Sequence, residues 1–328
     1  MLRVGLIGFG VIARVAHLKA LLKLQEEGLA QLVAVSDLRI EDFRSELSDA
    51  VHTYTDWREM LEKETLDFVD ICLPTFLHKE VTVTALGMGY PVLCEKPMSL
   101  TDEACAEMIA AAKAADRQLM IAQCLRFDPY YNFLKEAIQN NTFGAAKSGI
   151  FYRMSDPPFN PYAETKNWFM DYEKTHGCIA DMHVHDVDMV RYLFGQPESV
   201  SCCTQDIYSK KDIAHSTLRY PGFSMLALGD WSQTGVPCAI GYRVAFEKAT
   251  VDYSNNALTV YMRTGETYNP EIQKENIYYN EIRYFMERIT TGAENTVNPP
   301  EESANTIALI NKLIYSSDNN GAVVETKI

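Results

Sequence analysis

The chain has 328 residues, 47% of them hydrophobic and 23% charged, with a formal net charge of −14. That length exceeds what one hydrophobic core ordinarily serves, so two domains are expected. The acidic balance argues against partners with a nucleic-acid or anionic-membrane surface.

Nothing in the chain reaches the run of about 18 apolar residues that a membrane helix needs. The opening MLRVGLIGFG is interrupted by Arg14, His17 and Lys19 too early for a signal peptide. A cytoplasmic location is therefore expected. The eight cysteines, Cys72, Cys94, Cys105, Cys124, Cys178, Cys202, Cys203 and Cys238, form no C-x-x-C pair, and most lie in apolar runs. Reduced thiols are expected, with no structural metal.

The first 120 or so residues alternate strand and helix patterns. Residues 3–7 form a short apolar strand, and residues 11–27 a helix with Val11, Val15, Leu18, Leu21 and Leu22 as its apolar stripe. Strands follow at 31–36, 68–73, 91–94 and 119–124, with helices at 57–62, 79–88 and from Thr101 onward. Near-continuous apolar strands between helices predict a doubly wound parallel sheet covered on both faces. The pattern changes beyond about residue 125. Helices near 129–140 and 180–194 accompany longer strands at 147–154, 199–208, 213–220, 223–231, 238–247 and 257–262. Their alternation suits a large open, mostly antiparallel mixed sheet with one face on helices and the other free for a subunit contact. Two helices near 276–291 and 301–315 finish the chain. The expected division is a dinucleotide-binding domain over 1–122 and an α/β substrate and oligomerisation domain over 123–328.

Gly8-Phe9-Gly10-Val11-Ile12-Ala13 follows a strand and opens a helix, which is the context that a G-x-G-x-x-G/A fingerprint requires. Gly8 permits the tight turn, Gly10 admits a pyrophosphate, and Ala13 lets the helix pack closely on the sheet. The helix N-terminus supplies N–H groups to the phosphates. Asp37, at the end of the second strand, accepts from a ribose diol and repels a 2′-phosphate, favouring NAD over NADP; Arg39 softens that preference.

Cys94-Glu95-Lys96-Pro97 lies at the carboxyl end of the fourth strand, the edge where open α/β sheets bind ligands. Gly177-Cys178-Ile179-Ala180-Asp181-Met182-His183-Val184-His185-Asp186-Val187-Asp188 begins a helix running to Gly195. Asp181 and His185, four apart, share a helix face. Removing hydride from a secondary alcohol needs a proton acceptor, which a carboxylate-oriented His supplies and a nearby ammonium assists. His183 and His185 diverge on a helix, so the acids and histidines here make a poor metal site.

With these segments in place the chain resembles the glucose–fructose oxidoreductase / inositol dehydrogenase / rhizopine-catabolism (Gfo/Idh/MocA) family over nearly its whole length. The likeness rests on the GFGVIA loop, Pro74-Thr75 with His78, Glu95-Lys96-Pro97, Arg126-Phe127-Asp128-Pro129, Trp168, and the Asp181…His185-Asp186-Val187-Asp188 helix ending at Leu193-Phe194-Gly195. It implies a Rossmann domain, a large open sheet used in homodimers or homotetramers, and hydride transfer between NAD(P) and a hydroxyl or carbonyl carbon of a sugar, cyclitol or related polyol. By family role Lys96 contacts the reacting oxygen, His185 is the general acid/base, and Asp181 is its partner and a substrate ligand. Pro74, Thr75, His78, Glu95 and Arg126 fall near the cofactor, and Arg126, Trp168 and His183 near the substrate. His183 stands where the family often has Gly, and Phe169 where it often has Arg, so the substrate does not carry over. Relatives that cleave glycosides by transient oxidation, and non-catalytic dinucleotide-binding regulators, are the alternative readings.

Overall fold

The computed structural model describes residues 1–159 and 167–326, which divide into two units. The first comprises Met1–Phe127 with Glu275–Ala304, and the second Asp128–Lys274 with Asn305–Ile328.

In the first unit six parallel strands, β1 (Leu2–Ile7), β2 (Ala30–Ser36), β3 (His52–Tyr54), β4 (Phe68–Ile71), β5 (Val92–Glu95) and β6 (Leu119–Ala122), lie in the order β3-β2-β1-β4-β5-β6. Every residue of β4, β5 and β6 is buried, as expected of strands covered on both faces. The strand order reverses beside β1, where β2 and β4 flank it. That switch point opens a crevice at the carboxyl ends of the strands. A π-helical turn, Ala13–His17, leads into α1 (Leu18–Glu26). The other helices are α2 (Trp57–Lys63), α3 (Thr75–Gly87) and α4 (Asp102–Ala115). Thr101 caps α4 by accepting from the Ala104 N–H. The helix expected at 79–88 begins earlier, at Thr75, because Pro74 starts it without needing a donor.

The second unit holds α5 (Pro129–Gln139), β7 (Ala146–Met154), α6 (Tyr172–Thr175), α7 (Cys178–Asp181), α8 (Val184–Phe194), β8 (Ser199–Gln205), β9 (Ile213–Tyr220), β10 (Phe223–Asp230), β11 (Ala239–Phe246), β12 (Ala249–Ser254), β13 (Ala257–Met262) and β14 (Thr267–Tyr268). With β15 (Val324–Glu325) they form a nine-stranded sheet in the order β14-β13-β12-β11-β7-β10-β9-β8-β15. Its pairs are antiparallel except β7 with β10. Burial alternates along β12, with Ala249, Val251 and Tyr253 inside. Tyr131 of α5 meets Tyr242 and Phe151 of the sheet at 5.2 and 6.5 Å between ring centroids. On the far face Leu226 and Tyr261 are exposed.

Further features depart from the sequence-based expectation. Residues 275–304 belong to the first unit, not the second. There α9 (Ile277–Thr291) presents Ile282, Phe285 and Met286 to the core built by β1 and α1. Phe285 meets Phe68 edge-on at 5.5 Å. Burying Ile282 and Phe285 is worth about 2 kcal/mol each, which holds the returning helix on the first core. Strands β3, β12, β14 and β15 were not anticipated. The remaining helix, α10, spans Pro300–Asp318. Among the described residues no helix is long and apolar enough to cross a membrane.

Candidate active site

Gly8 turns the chain out of β1 with φ +89°, a conformation that residues with a Cβ rarely adopt. A Cβ there would lie 2.5 Å from the Cys72 carbonyl oxygen, so the close approach also requires glycine. A Cβ at Gly10 would meet nothing within 4 Å; Gly10 and Val11 are exposed and Ile12 half-buried. The helix therefore begins at an open surface with its first N–H groups available. Ala13 is buried against the core, as expected of the third fingerprint position. Phe9 contributes backbone only: its ring is buried beside Phe43, and its N–H donates to Asp37 Oδ2 at 2.8 Å. The Arg39 N–H donates to Asp37 Oδ1 at 2.8 Å. Asp37 is thus fixed at the mouth of the turn while remaining half-exposed. A glycine turn that no Cβ fits, an open helix start and a fixed carboxylate suit a dinucleotide's pyrophosphate and ribose.

Lys96 follows β5 directly and is half-exposed, joined to Pro97 by a cis peptide bond. Its N–H donates to Glu95 Oε2 at 2.9 Å, and Glu95 itself is buried. Burial pushes the Glu95 carboxyl up, but the His17 hydrogen bond and charge, followed by Lys96, outweigh this and hold it below the usual range. Thr75, expected near the cofactor, is buried at the start of α3, with Pro74 half-buried before it. His78 lies 2.8 Å from both the Pro97 and Leu73 carbonyl oxygens, staplings that join the loops after β4 and β5. Burial pulls its ring below the ordinary value, against those two carbonyls. Both ring nitrogens thus face carbonyls of the protein itself, and the neutral ring donates to one of them. Arg126, also expected at an open mouth, is only 1% exposed, and its Nη1 donates to the Val297 carbonyl at 3.0 Å. Asn298 Nδ2 donates to the Ile121 carbonyl in the same region. Sequence reasoning missed both tethers, because their partners lie more than 170 residues away.

In the second unit the expected continuous helix is two pieces, α7 and α8, broken at Met182 and His183. The His183 N–H reaches back to the Cys178 carbonyl, one residue beyond the α-helical partner. From Gly177 to Arg191 every residue is buried except Asp181 and His185, which are half-buried. The break thus leaves the acid and the imidazole as the accessible members of an otherwise packed element. His183 does not join them. Its ring is fully buried, its Nε2 lies 2.8 Å from Ser216 Oγ, and a Cβ on Gly229 would lie 2.7 Å from the His183 Cβ. Burial, then His215, pulls its ring down to about 3, so it is neutral at any working pH. It packs α7–α8 onto β9 and β10.

The neighbouring acids also have separate tasks. Asp188 accepts from Thr306 Oγ1 at 2.7 Å, and buried Asp186 lies 3.7 Å from Arg153 Nε. Burial pushes the Asp186 carboxyl up to about 6 against the pull of Arg153. Trp168 is half-buried and stacks on Phe169 with centroids 3.9 Å apart. Phe169 meets Trp231 edge-on at 6.4 Å within an apolar cluster containing Phe159, Cys178 and Met182. All eight cysteines are free thiols. Among the described residues the one metal-type grouping is His17, Asp70 and Cys72, which the sequence reading did not single out.

Comparisons with known proteins find relatives for both halves of the chain. Residues 2–123 match the family described as "Oxidoreductase family, NAD-binding Rossmann fold", and residues 131–252 match the GFO/IDH/MocA C-terminal domain. The chain is 34% identical over 199 residues to the myo-inositol 2-dehydrogenase of Thermotoga maritima, covering 60% of this chain and 55% of that protein. It therefore spans about half the length of the first curated relatives that it matches. The inositol 2-dehydrogenase of Rhizobium meliloti is 28% identical, with 89% of this chain and 90% of that protein covered. Levoglucosan dehydrogenase, solved with NADH and levoglucosan, shares the fold with a TM-score of 0.87 at 19% identity, covering 100% of both chains. With both halves matched in order, the chain belongs to the Gfo/Idh/MocA family of oxidoreductases.

Proposed function

We propose that the protein is an NAD-preferring dehydrogenase or reductase that moves hydride to or from a carbinol carbon of a sugar or cyclitol. The observation that carries this reading is the exposure pattern from Gly177 to Arg191, where only Asp181 and His185 are accessible. A stretch, α7 into α8, that buries everything except one carboxylate and one imidazole suits proton transfer as well as packing. The N–H groups at Gly10–Ala13 would hold the pyrophosphate, and Asp37 the adenosine ribose diol. A bound nicotinamide supplies the hydride acceptor or donor. Lys96 steadies the substrate oxygen with its ammonium as charge develops there. His185 takes the hydroxyl proton during oxidation and returns it during reduction, while Asp181 orients the ring and favours its cation. The free face of the nine-stranded sheet, with Leu226 and Tyr261 exposed, would serve a homodimer or homotetramer.

The test is a panel of inositols, aldoses, sugar acids and anhydro-sugars, followed by NADH or NADPH absorbance with either cofactor. Saturable reduction of NAD by at least one polyol is expected. Aglycone release from glycosides without net NADH would instead indicate redox-assisted hydrolysis.

A further inference from the structure

Beneath the cofactor turn, the first unit buries a group of ionisable side chains that hydride transfer does not use. His17 ends the π-helical turn and is fully buried. Its Nδ1 lies 2.8 Å from Asp70 Oδ2 and its Nε2 lies 2.9 Å from Glu95 Oε1. Asp70 is in β4 and Glu95 ends the adjacent β5, so one ring bridges two neighbouring strands. Cys72 Sγ lies 3.8 Å from Asp70 Oδ1. From α9, the Tyr278 ring approaches the imidazole at 5.6 Å. Glu281, also on α9, is fully buried, and neither of its carboxylate oxygens has a hydrogen-bond partner. Lys96, His78 and Cys94 near Glu95, and Cys124 beside Tyr278, also belong to the titratable surroundings.

A neutral imidazole has one N–H and an imidazolium two, whereas a carboxylate only accepts. Carboxylate oxygens at hydrogen-bond distance from both ring nitrogens are satisfied together only by the cation. Glu95 then links that cation to the active-site loop, because its second oxygen accepts the Lys96 backbone N–H at 2.9 Å. We propose that His17 is a positioning residue for Lys96: clamped between Asp70 and Glu95, it fixes the carboxylate that holds the Lys96 backbone. The proposal rests on the assignment of Lys96 to the reacting oxygen.

The electrostatics agree. Burial pushes the His17 ring down, but the Asp70 charge outweighs it and keeps the proton bound well above the ordinary range. Burial, then Glu95, pushes the Glu281 carboxyl well above its ordinary value. His17, Asp70 and Cys72 also offer ligand atoms within 4.8 Å of one another. A cation there needs a neutral ring and a thiolate. Both ring nitrogens already face carboxylates, and burial and Asp70 push the Cys72 thiol up.

The test uses the full chain with NAD and a working polyol, comparing wild type with His17→Gln, Glu281→Gln and Lys96→Ala. Single-turnover hydride transfer is followed across pH, and NAD affinity is titrated separately. His17→Gln is expected to slow hydride transfer by about tenfold to a hundredfold, the scale of a misplaced catalytic group, with NAD affinity nearly unchanged. Its pH profile moves to higher pH, because burial, no longer opposed by His17, pushes the Glu95 carboxyl up, and a protonated Glu95 holds the Lys96 N–H less firmly. Glu281→Gln keeps the wild-type rate. If Lys96→Ala is slow while His17→Gln keeps the wild-type rate and profile, the positioning role falls and the Lys96 assignment stands. If Lys96→Ala is as fast as wild type, both fall. Should His17→Gln not fold, nitrogen NMR of wild-type protein labelled in histidine decides. The resonance perturbed by Glu281→Gln must report two ring N–H groups through neutral pH, and a neutral tautomer there overturns the proposal. One bound metal per chain, lost in His17→Gln, overturns it as well.

Discussion

At the scale of single residues, Asp37 does two things at once. It anchors the glycine turn through the Phe9 N–H and presents a carboxylate at the end of β2. Asp37→Ser should raise the ratio of NADP to NAD affinity by about tenfold or more, since a like charge no longer faces a 2′-phosphate. It should also cost about 1 kcal/mol, because the Phe9 N–H loses its acceptor. Titrations of both cofactors and a thermal melt check the two effects separately. Gly8 was legible as a turn from the fingerprint alone, but its collision distance with Cys72 was not. Gly8→Ala should lower stability by about 2 kcal/mol or more and abolish dinucleotide binding, which a melt with and without NAD measures. His183 shows the reverse case. Its neighbours in sequence suggested a ligand, yet its partners Ser216 and Gly229 come from strands more than 30 residues away. His17, Asp70 and Glu95 were equally hidden, because nothing in local spacing marks side chains 53 and 78 residues apart as contacts.

At the scale of elements, β1, β2, β4, β5 and β6 were readable as largely apolar runs between helical patterns, whereas β3, His52-Thr53-Tyr54, has no apolar run and was missed. The break in α7–α8 was not readable either, since Met182 and His183 are compatible with a continuous helix and only packing on the sheet interrupts it. Asp186, on the same element, gives a pH signature. An acid with a raised folded value holds its proton more tightly folded than unfolded. Its favourable contribution is complete below the ordinary value of 3.8 and is lost as pH climbs through about 6. Arg153 at 3.7 Å offsets this only in part. Asp186→Asn should therefore be stabilised relative to wild type by up to about 3 kcal/mol at neutral pH, with the gain vanishing near pH 4. Denaturant midpoints at the two pH values measure it, and an equal or lower midpoint at neutral pH would show the ion pair to be net favourable.

At the scale of the molecule, the class of each half was legible: a parallel doubly wound sheet, then a mostly antiparallel mixed one. The boundary was not, because α9 has the same amphipathic pattern whichever core receives it. Its return to the first unit predicts that residues 1–127 expressed alone fail to melt cooperatively, whereas the same segment linked to 275–304 does so. Substrate identity lies in pocket shape, which no single motif encodes. The central claim, hydride transfer assisted by Lys96 and His185, is tested most directly by stopped-flow reduction of bound NAD in Lys96→Ala and His185→Ala. Rates lower by about a hundredfold or more are expected of lost acid–base groups, with NAD affinity intact, and wild-type rates in both variants would contradict the assignment.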